Sequence, residues 1–177
     1  SNVSGSSCHV HLSFTDLDGN DLDENGHIQD AFIAGLLNYS PELILLHAPF
    51  ENSYRRLQPG TFAPCNVSWG WDNRTVMLRL IKQGSMTRME FRLPGADVNP
   101  YLCFAGILAA GIEGIDQRLQ LPPPTEGSAY KESGSENTPS LPSDLTESVD
   151  AFKRSELAKK AFSISVHKHL LDLGASE

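Results

Sequence analysis

Two segments far apart in the chain carry side chains whose type and spacing can do chemistry. Arg88-Met-Glu-Phe-Arg-Leu93 alternates, and successive side chains of a strand point to opposite faces, so Arg88, Glu90 and Arg92 share one face while Met89, Phe91 and Leu93 share the other. Guanidinium groups at two-residue spacing hold a carboxylate ionised, which makes Glu90 a standing acceptor for a cation or a hydrogen-bond donor. From Cys8 the same alternation puts His9, His11 and Ser13 on one face and Cys8, Val10, Leu12 and Phe14 on the other. Each pattern is also that of a surface strand. If the two strands are neighbours, His9 and Glu90 come within the roughly 5 Å of a cross-strand pair and offer a nitrogen and an oxygen to one divalent ion.

The arginines point to an anion. The chain of 177 residues has a formal charge of −8, yet residues 51–92 hold Arg55, Arg56, Arg74, Arg79, Lys82, Arg88 and Arg92 against Glu51, Asp72 and Glu90. Arginine holds carboxylates and phosphates in a fixed two-point geometry. A nucleic acid would need a broad basic surface with interleaved aromatics, which an acidic chain does not offer; a small polyanion in a local pocket fits better. Arg74 and Arg79 have opposite parity, so a regular strand would send them to opposite faces. If both serve one pocket, Arg74 lies in a turn or a bulge intervenes.

The elements that must position these groups follow from periodicity and turn residues. Apolar spacing predicts a helix over 27–40, an interruption at Ser40-Pro41, and a second helix from Pro41 to about His47. His27 and His47 fall at element ends, as caps or exposed residues. Strands are expected over 66–70, 74–81 and 87–93, and a helix over 101–118 starting at Asn99-Pro100. Residues 121–144, rich in Pro, Ser, Gly and Glu, read as a mobile surface loop, and 145 to the end as two or three short amphipathic helices. His167 and His169 point to different faces of such a helix. The acidic run from Asp16 to Gly26 fails the spacing of a calcium loop and reads as a turn at Asp18-Gly19-Asn20. Cys8, Cys65 and Cys103 have no metal-type spacing and their odd number argues against a disulfide framework. No apolar run is long enough to span a bilayer and the start does not resemble a secretory signal, so a cytoplasmic protein with no membrane partner is expected.

Taken together, Ser-Gly-Ser-Ser-Cys-His-Val-His-Leu-Ser at 4–13, Asn-Ser-Tyr-Arg-Arg-Leu-Gln-Pro-Gly at 52–60, Asp-Asn-Arg-Thr at 72–75, Arg-Met-Glu-Phe-Arg-Leu-Pro at 88–94 and Asn-Pro-Tyr-Leu-Cys-Phe-Ala at 99–105 resemble the C-terminal part of the glutamine synthetase catalytic domain. The resemblance implies an α+β fold, a curved antiparallel sheet backed by helices, and a ring-shaped homo-oligomer with active sites between subunits. It implies an ATP-dependent ligase that makes γ-glutamyl phosphate and lets an amine displace the phosphate, using Mg2+ or Mn2+. Carried over, His9 and Glu90 resemble metal ligands, and His11 and Ser13 nucleotide contacts. Gly5, Arg56 and Arg92 resemble the groups that hold glutamate, and Arg74 and Arg79 those that meet the phosphates, with Arg74 and Arg92 in the catalytic set. Phosphoryl transfer needs positioning and positive charge more than a protein nucleophile.

Two positions depart from the family pattern. Phe62 stands where glutamine synthetase proper has a glutamate that takes a proton from ammonium. An aromatic ring cannot accept that proton but can wall an apolar pocket, which favours a γ-glutamyl-amine or polyamine ligase over ammonia assimilation. Ser4 replaces an asparagine that contacts glutamate. The family's other metal carboxylates and its N-terminal domain would lie before residue 1, so the 177 residues are expected to be a fragment that binds metal weakly and is inactive alone. The alternative is a non-catalytic structural or regulatory relative.

Overall fold

In the computed structural model, which describes residues 5–20, 26–83, 86–131 and 138–175, the chain folds as an α+β domain. Four strands, β1 (Val10–Leu12), β2 (Trp69–Trp71), β3 (Leu78–Gln83) and β4 (Met86–Phe91), make one sheet in the order β1-β4-β3-β2. Register sorts the side chains into rows. Val10, Phe91, Leu78 and Trp69 line up across the strands, as do Leu12, Met89, Leu80 and Trp71. The first row is buried throughout, and in the second Met89 and Leu80 are buried; these residues form the core face. The row between them, on the opposite face, is His11, Glu90, Arg79 and Gly70.

Two of the three strand pairings are antiparallel, as expected, but β2 and β3 run parallel. Parallel strands normally need a crossover of about a dozen residues. Here residues 72–77 suffice, because Asp72 turns the chain at φ 46° with its N–H on Leu80 O (2.8 Å), and Met77 and Leu78 both donate to Ser68 O. The chain returns to the start of β2 and re-enters in the same direction. β3 therefore begins at Leu78, four residues later than alternation predicts, and Arg74 lies in the loop.

The helices back the core face. α1 (His27–Leu43) and α2 (Pro100–Asp116) touch at two glycines. A Cβ on Gly35 would lie 2.2 Å from Ala110 O, and one on Gly114 would lie 2.3 Å from Ala31 O, so neither position admits a side chain. Asn99 caps α2, accepting from Tyr101 N at 3.0 Å, with Pro100 in the first turn. α3 (Leu145–Arg154), α4 (Glu156–Ala161) and α5 (Ile164–Gly174) start on the side-chain caps Asp144, Ser155 and Ser163, and send Phe152, Leu157 and Leu170 into the same core. His167 stacks on Phe152 with ring centres 5.0 Å apart, and His169 is exposed. Among the described residues no helix is long and apolar enough to cross a membrane, and the three cysteines are free thiols.

Ser40-Pro41 does not interrupt the helix as expected. α1 runs through Pro41 to Leu43 and tightens into a 3₁₀ turn over Ile44–Leu46. Pro41 falls in the last turn, where one lost backbone bond is outweighed by burial of Leu43, Ile44, Leu45 and Leu46. The Asp18-Gly19-Asn20 turn forms with Gly19 at φ 85° and with Asp16 accepting from Asp18 N and Asn20 N; residues 21–25 lie outside the described residues. Residues 121–131 and 138–144 of the expected mobile loop are bonded to the domain. Thr125 N donates to Trp69 O, Trp69 Nε1 to Pro122 O, Asn66 Nδ2 to Ala129 O, and Val67 N to Pro139 O.

His47 closes the 3₁₀ turn as its C-cap, one of the two expected placements, but it is a core residue, 1% exposed. Its ring meets Phe91 edge-on at 5.1 Å, and burial pushes its pKa down to about 3. Because the folded value is below the ordinary one, the unfolded chain takes up a proton that the folded chain refuses. Stability present above about pH 6.5 is therefore lost as pH falls from there toward 3, at about 1.4 kcal/mol per pH unit. In urea titrations across this window His47→Asn should show a shallower fall in stability than the parent; parallel curves would show that His47 is protonated in the folded chain.

Candidate active site

The polar row of the sheet converges on one carboxylate. Glu90 is 4% exposed, and its Oε1 lies 3.0 Å from His9 Nδ1, 3.0 Å from Arg92 Nη1 and 3.8 Å from His11 Nε2, while Oε2 lies 3.2 Å from Arg79 Nη1. His11 and Arg79 reach it as its cross-strand partners on either side, and His9 and Arg92 from just beyond the paired residues. His9 and Glu90, expected on one face of neighbouring strands, are in direct contact. The second guanidinium on Glu90 is that of Arg79 and not, as its two-residue spacing predicts, that of Arg88. A cross-strand neighbour is nearer than the next residue on the same face of one strand. Arg88 is half-buried, and its Nε is unbonded among the described residues.

The charges settle the protonation states. Burial works to raise the pKa of Glu90, but Arg92, then His9 and Arg79, outweigh it, and the carboxyl is held below its ordinary value. Burial and the Arg92 charge push His9 down against the pull of Glu90. An ionised carboxylate beside a neutral imidazole is the donor pair a divalent cation takes. Their 3.0 Å separation is that of adjacent ligands around an ion with bonds of about 2.1 Å. His9 and Glu90 thus fit such an ion. Among the described residues no group of three or more His, Cys, Asp or Glu side chains is placed to hold a metal. Ser13 is exposed one residue beyond β1.

Arg92 links this centre to a strained loop. It is 3% exposed, its backbone N–H donates to Met77 O, and its Nη2 donates to Phe62 O at 2.9 Å. Phe62 has φ 58°, a region an aromatic residue rarely adopts. The turn is fixed by Gly60 at φ 84°, by the Thr61 hydroxyl 2.6 Å from Gln58 O, and by Tyr130 OH on Ala63 O. Phe62 is 61% exposed.

Beside Arg56 lies a cleft of about 700 Å³ lined by Gly5, Ser6, Arg55, Arg56, Thr61 and Asp97 among others. Arg56 is buried, donates from Nη2 to Leu93 O, and leaves Nε without a partner among the described residues. A Cβ on Gly5 would come within 3.1 Å of the Arg56 Cγ, so the glycine lets the backbone lie on the arginine stem. Arg56 and Arg92 are close enough for their charges to interact. Arg74 is exposed in the 72–77 loop, near Asp72, which accepts from Arg79. The structure therefore brings His9, His11, Arg79, Glu90 and Arg92 into contact, with Gly5, Arg56, Phe62 and Arg74 next to them. Sequence reasoning missed Asp72 and the Phe62 carbonyl. A turn aspartate ahead of two arginines of conflicting parity was the available signal for the first; a backbone carbonyl leaves none.

The glutamine synthetase catalytic-domain family matches residues 1–177. The chain is 46% identical over 179 residues to gamma-glutamylethanolamide synthetase of Streptomyces coelicolor, covering 99% of the chain and 38% of that protein. It is 41% identical over 167 residues to glutamate–isopropylamine ligase of a Pseudomonas species (90% and 36%), and 36% identical over 180 residues to glutamine synthetase of Thermus thermophilus (96% and 40%). A solved structure of GmaS with ADP superposes with a TM-score of 0.84 at 30% identity, covering 98% of this chain and 42% of that one. The chain spans about two fifths of the length of the relatives it matches.

Glu90→Gln removes the charge that offsets two guanidinium groups while keeping the side-chain shape. With the side chains of Glu90 and Arg92 only 6% and 4% exposed, the loss should be about 3 kcal/mol in urea unfolding. A loss under about 1 kcal/mol would show that solvent screens the cluster.

Proposed function

The chain belongs to the glutamine synthetase catalytic-domain family, and on that premise we propose that it is part of an ATP-dependent ligase. It would join the γ-carboxylate of glutamate, or a similar acid, to an organic amine. The observation that carries the reading is Glu90, ionised and nearly buried, touching His9 on one side and Arg79 and Arg92 on the others. That arrangement has a nitrogen–oxygen pair for a cation and fixed positive charge for phosphate on a single face.

In this reading the acid lies in the cleft lined by Gly5 and Arg56, with its carboxylates held by Arg56 and Arg92. Its γ-carboxylate oxygen attacks the terminal phosphorus of ATP, ADP leaves, and an acyl phosphate forms. The amine nitrogen then attacks the acyl carbon, inorganic phosphate leaves, and the amine gives up a proton to water. Arg74 and Arg79 bear on the phosphates, where fixed donors stabilise charge as it develops. Arg79 is already oriented by Glu90, and Arg92 by Glu90 and Phe62 O. His9 and Glu90 would hold a Mg2+ or Mn2+ ion, which would supply polarisation of the transferred phosphoryl group. His11 and Ser13 are nucleotide contacts in the same reading. Assembly into a ring of like subunits belongs to the same proposal.

Phe62 supports the amine. Its carbonyl is tied to Arg92 at 2.9 Å and the residue is exposed, so the loop fixed by the acid's arginine carries an apolar side chain where a proton acceptor would serve ammonium. The relatives include proteins named for ethanolamide and isopropylamine products of glutamate.

The test is phosphate release by the full-length protein with ATP, Mg2+, glutamate and, in turn, ammonia, monoamines and polyamines. At least one organic amine should exceed ammonia in kcat/KM by about tenfold or more, since burial of a few methylenes is worth that much, and Phe62→Glu should narrow the gap. Preference for ammonia would overturn the role given to Phe62. Absence of turnover with every amine would favour a non-catalytic relative.

A further inference from the structure

Asp72 has no task in the mechanism above, yet its placement is specific. It stands immediately after β2 with its side chain 76% exposed, its backbone at φ 46°, and its N–H on Leu80 O. Left-handed backbone is tolerated by Asp and Asn but carries strain, and strain held by the surrounding structure gathers at functional sites. From this turn Asp72 Oδ1 accepts from Arg79 Nε at 3.1 Å and also from Arg79 Nη2. Nη1 of the same guanidinium donates to Glu90 Oε2 at 3.2 Å. Arg79 is thus gripped between an exposed carboxylate and a buried one.

A guanidinium has five N–H donors. Three are used by Asp72 and Glu90, and the remaining two have no partner among the described residues. The plane of the group is fixed from two sides, so those two donors point in a set direction. Asp72 also feels the charge of Arg74, two residues on in the same loop. An ion pair with so exposed a partner stabilises a fold little; its effect is geometric.

We infer that Asp72 is a positioning residue for the nucleotide. It holds Arg79 from the solvent side and keeps the loop bearing Arg74 beside it, so that both guanidiniums meet the phosphates already oriented. The inference rests on the proposal that Arg74 and Arg79 are phosphate contacts. It predicts a defect confined to nucleotide binding, because the acid cleft around Gly5 and Arg56 involves neither residue.

Asparagine accepts left-handed backbone as readily as aspartate and matches its size, so Asp72→Asn removes the charge and leaves the turn. With the full-length protein, ATP–Mg2+ affinity is measured by calorimetry, and KM for ATP and for glutamate by phosphate release, for the parent, Asp72→Asn, Asp72→Glu, Arg79→Gln and the double variant. Expected are a roughly tenfold weaker ATP affinity and higher ATP KM in Asp72→Asn, a glutamate KM within twofold of the parent, an unchanged melting temperature, and partial recovery in Asp72→Glu. In the Arg79→Gln background Asp72→Asn should add nothing, since residues acting as a unit are non-additive. Unchanged or tighter ATP binding in Asp72→Asn, equal rises in both KM values with a lower melting temperature, or full additivity with Arg79→Gln would overturn the inference. Failure of the parent to bind ATP–Mg2+ would instead overturn the nucleotide reading, and this inference with it.

Discussion

A carboxylate nearly excluded from water must be met by positive charge or lose its own, and much of this domain follows from meeting that demand at Glu90. Four basic side chains approach it from β1, from β3 and from the residues flanking the sheet. Only one register allows this. A slip of one residue would put Met89 or Phe91 among the arginines and Glu90 in the core, exchanging both faces at once. The register that buries Val10, Leu78, Leu80, Met89 and Phe91 is therefore the register that assembles the charged row.

The loops inherit their positions from that row. Arg92 reaches from Glu90 to the carbonyl of Phe62 and holds a turn in which Gly60 and Phe62 both have positive φ. Arg79 reaches from Glu90 to Asp72 and braces the turn that makes β2 and β3 parallel. Behind the sheet, the glycine contact between α1 and α2 brings two apolar helices close enough to share a core with it. The scaffold is packed by ordinary hydrophobic burial, whereas the polar face is organised by ion pairs whose partners come from separate segments.

The period-two pattern made the two essential segments legible without coordinates. His9, His11, Glu90 and Arg92 were placed on common faces by alternation alone, and the resemblance to a family joined them. What alternation does not encode is which strand lies next to which, so it assigned Arg88 to Glu90 when the partner came across the sheet as Arg79. The parallel β2–β3 pair was illegible because six connecting residues ordinarily cannot make one; the hydrogen bonds to Ser68 O and Leu80 O that permit it are backbone bonds. The unbroken helix at Pro41 and the burial of His47 share a reason. Local preference places proline at a break and histidine near solvent, but burial of the apolar residues around them, from Leu43 to Leu46 and Phe91, carries the helix through a half-buried Pro41 and takes His47 into the interior.

The central claim is that His9 and Glu90 present one nitrogen and one oxygen to a common cation on a face dense in guanidinium. The most direct measurement is anomalous X-ray scattering from crystals of the full-length protein grown with Mn2+. The account predicts a manganese peak bonded to both His9 and Glu90 at about 2.0–2.3 Å. Manganese bound elsewhere, with His9 still hydrogen-bonded to Glu90 and no metal between them, would contradict it.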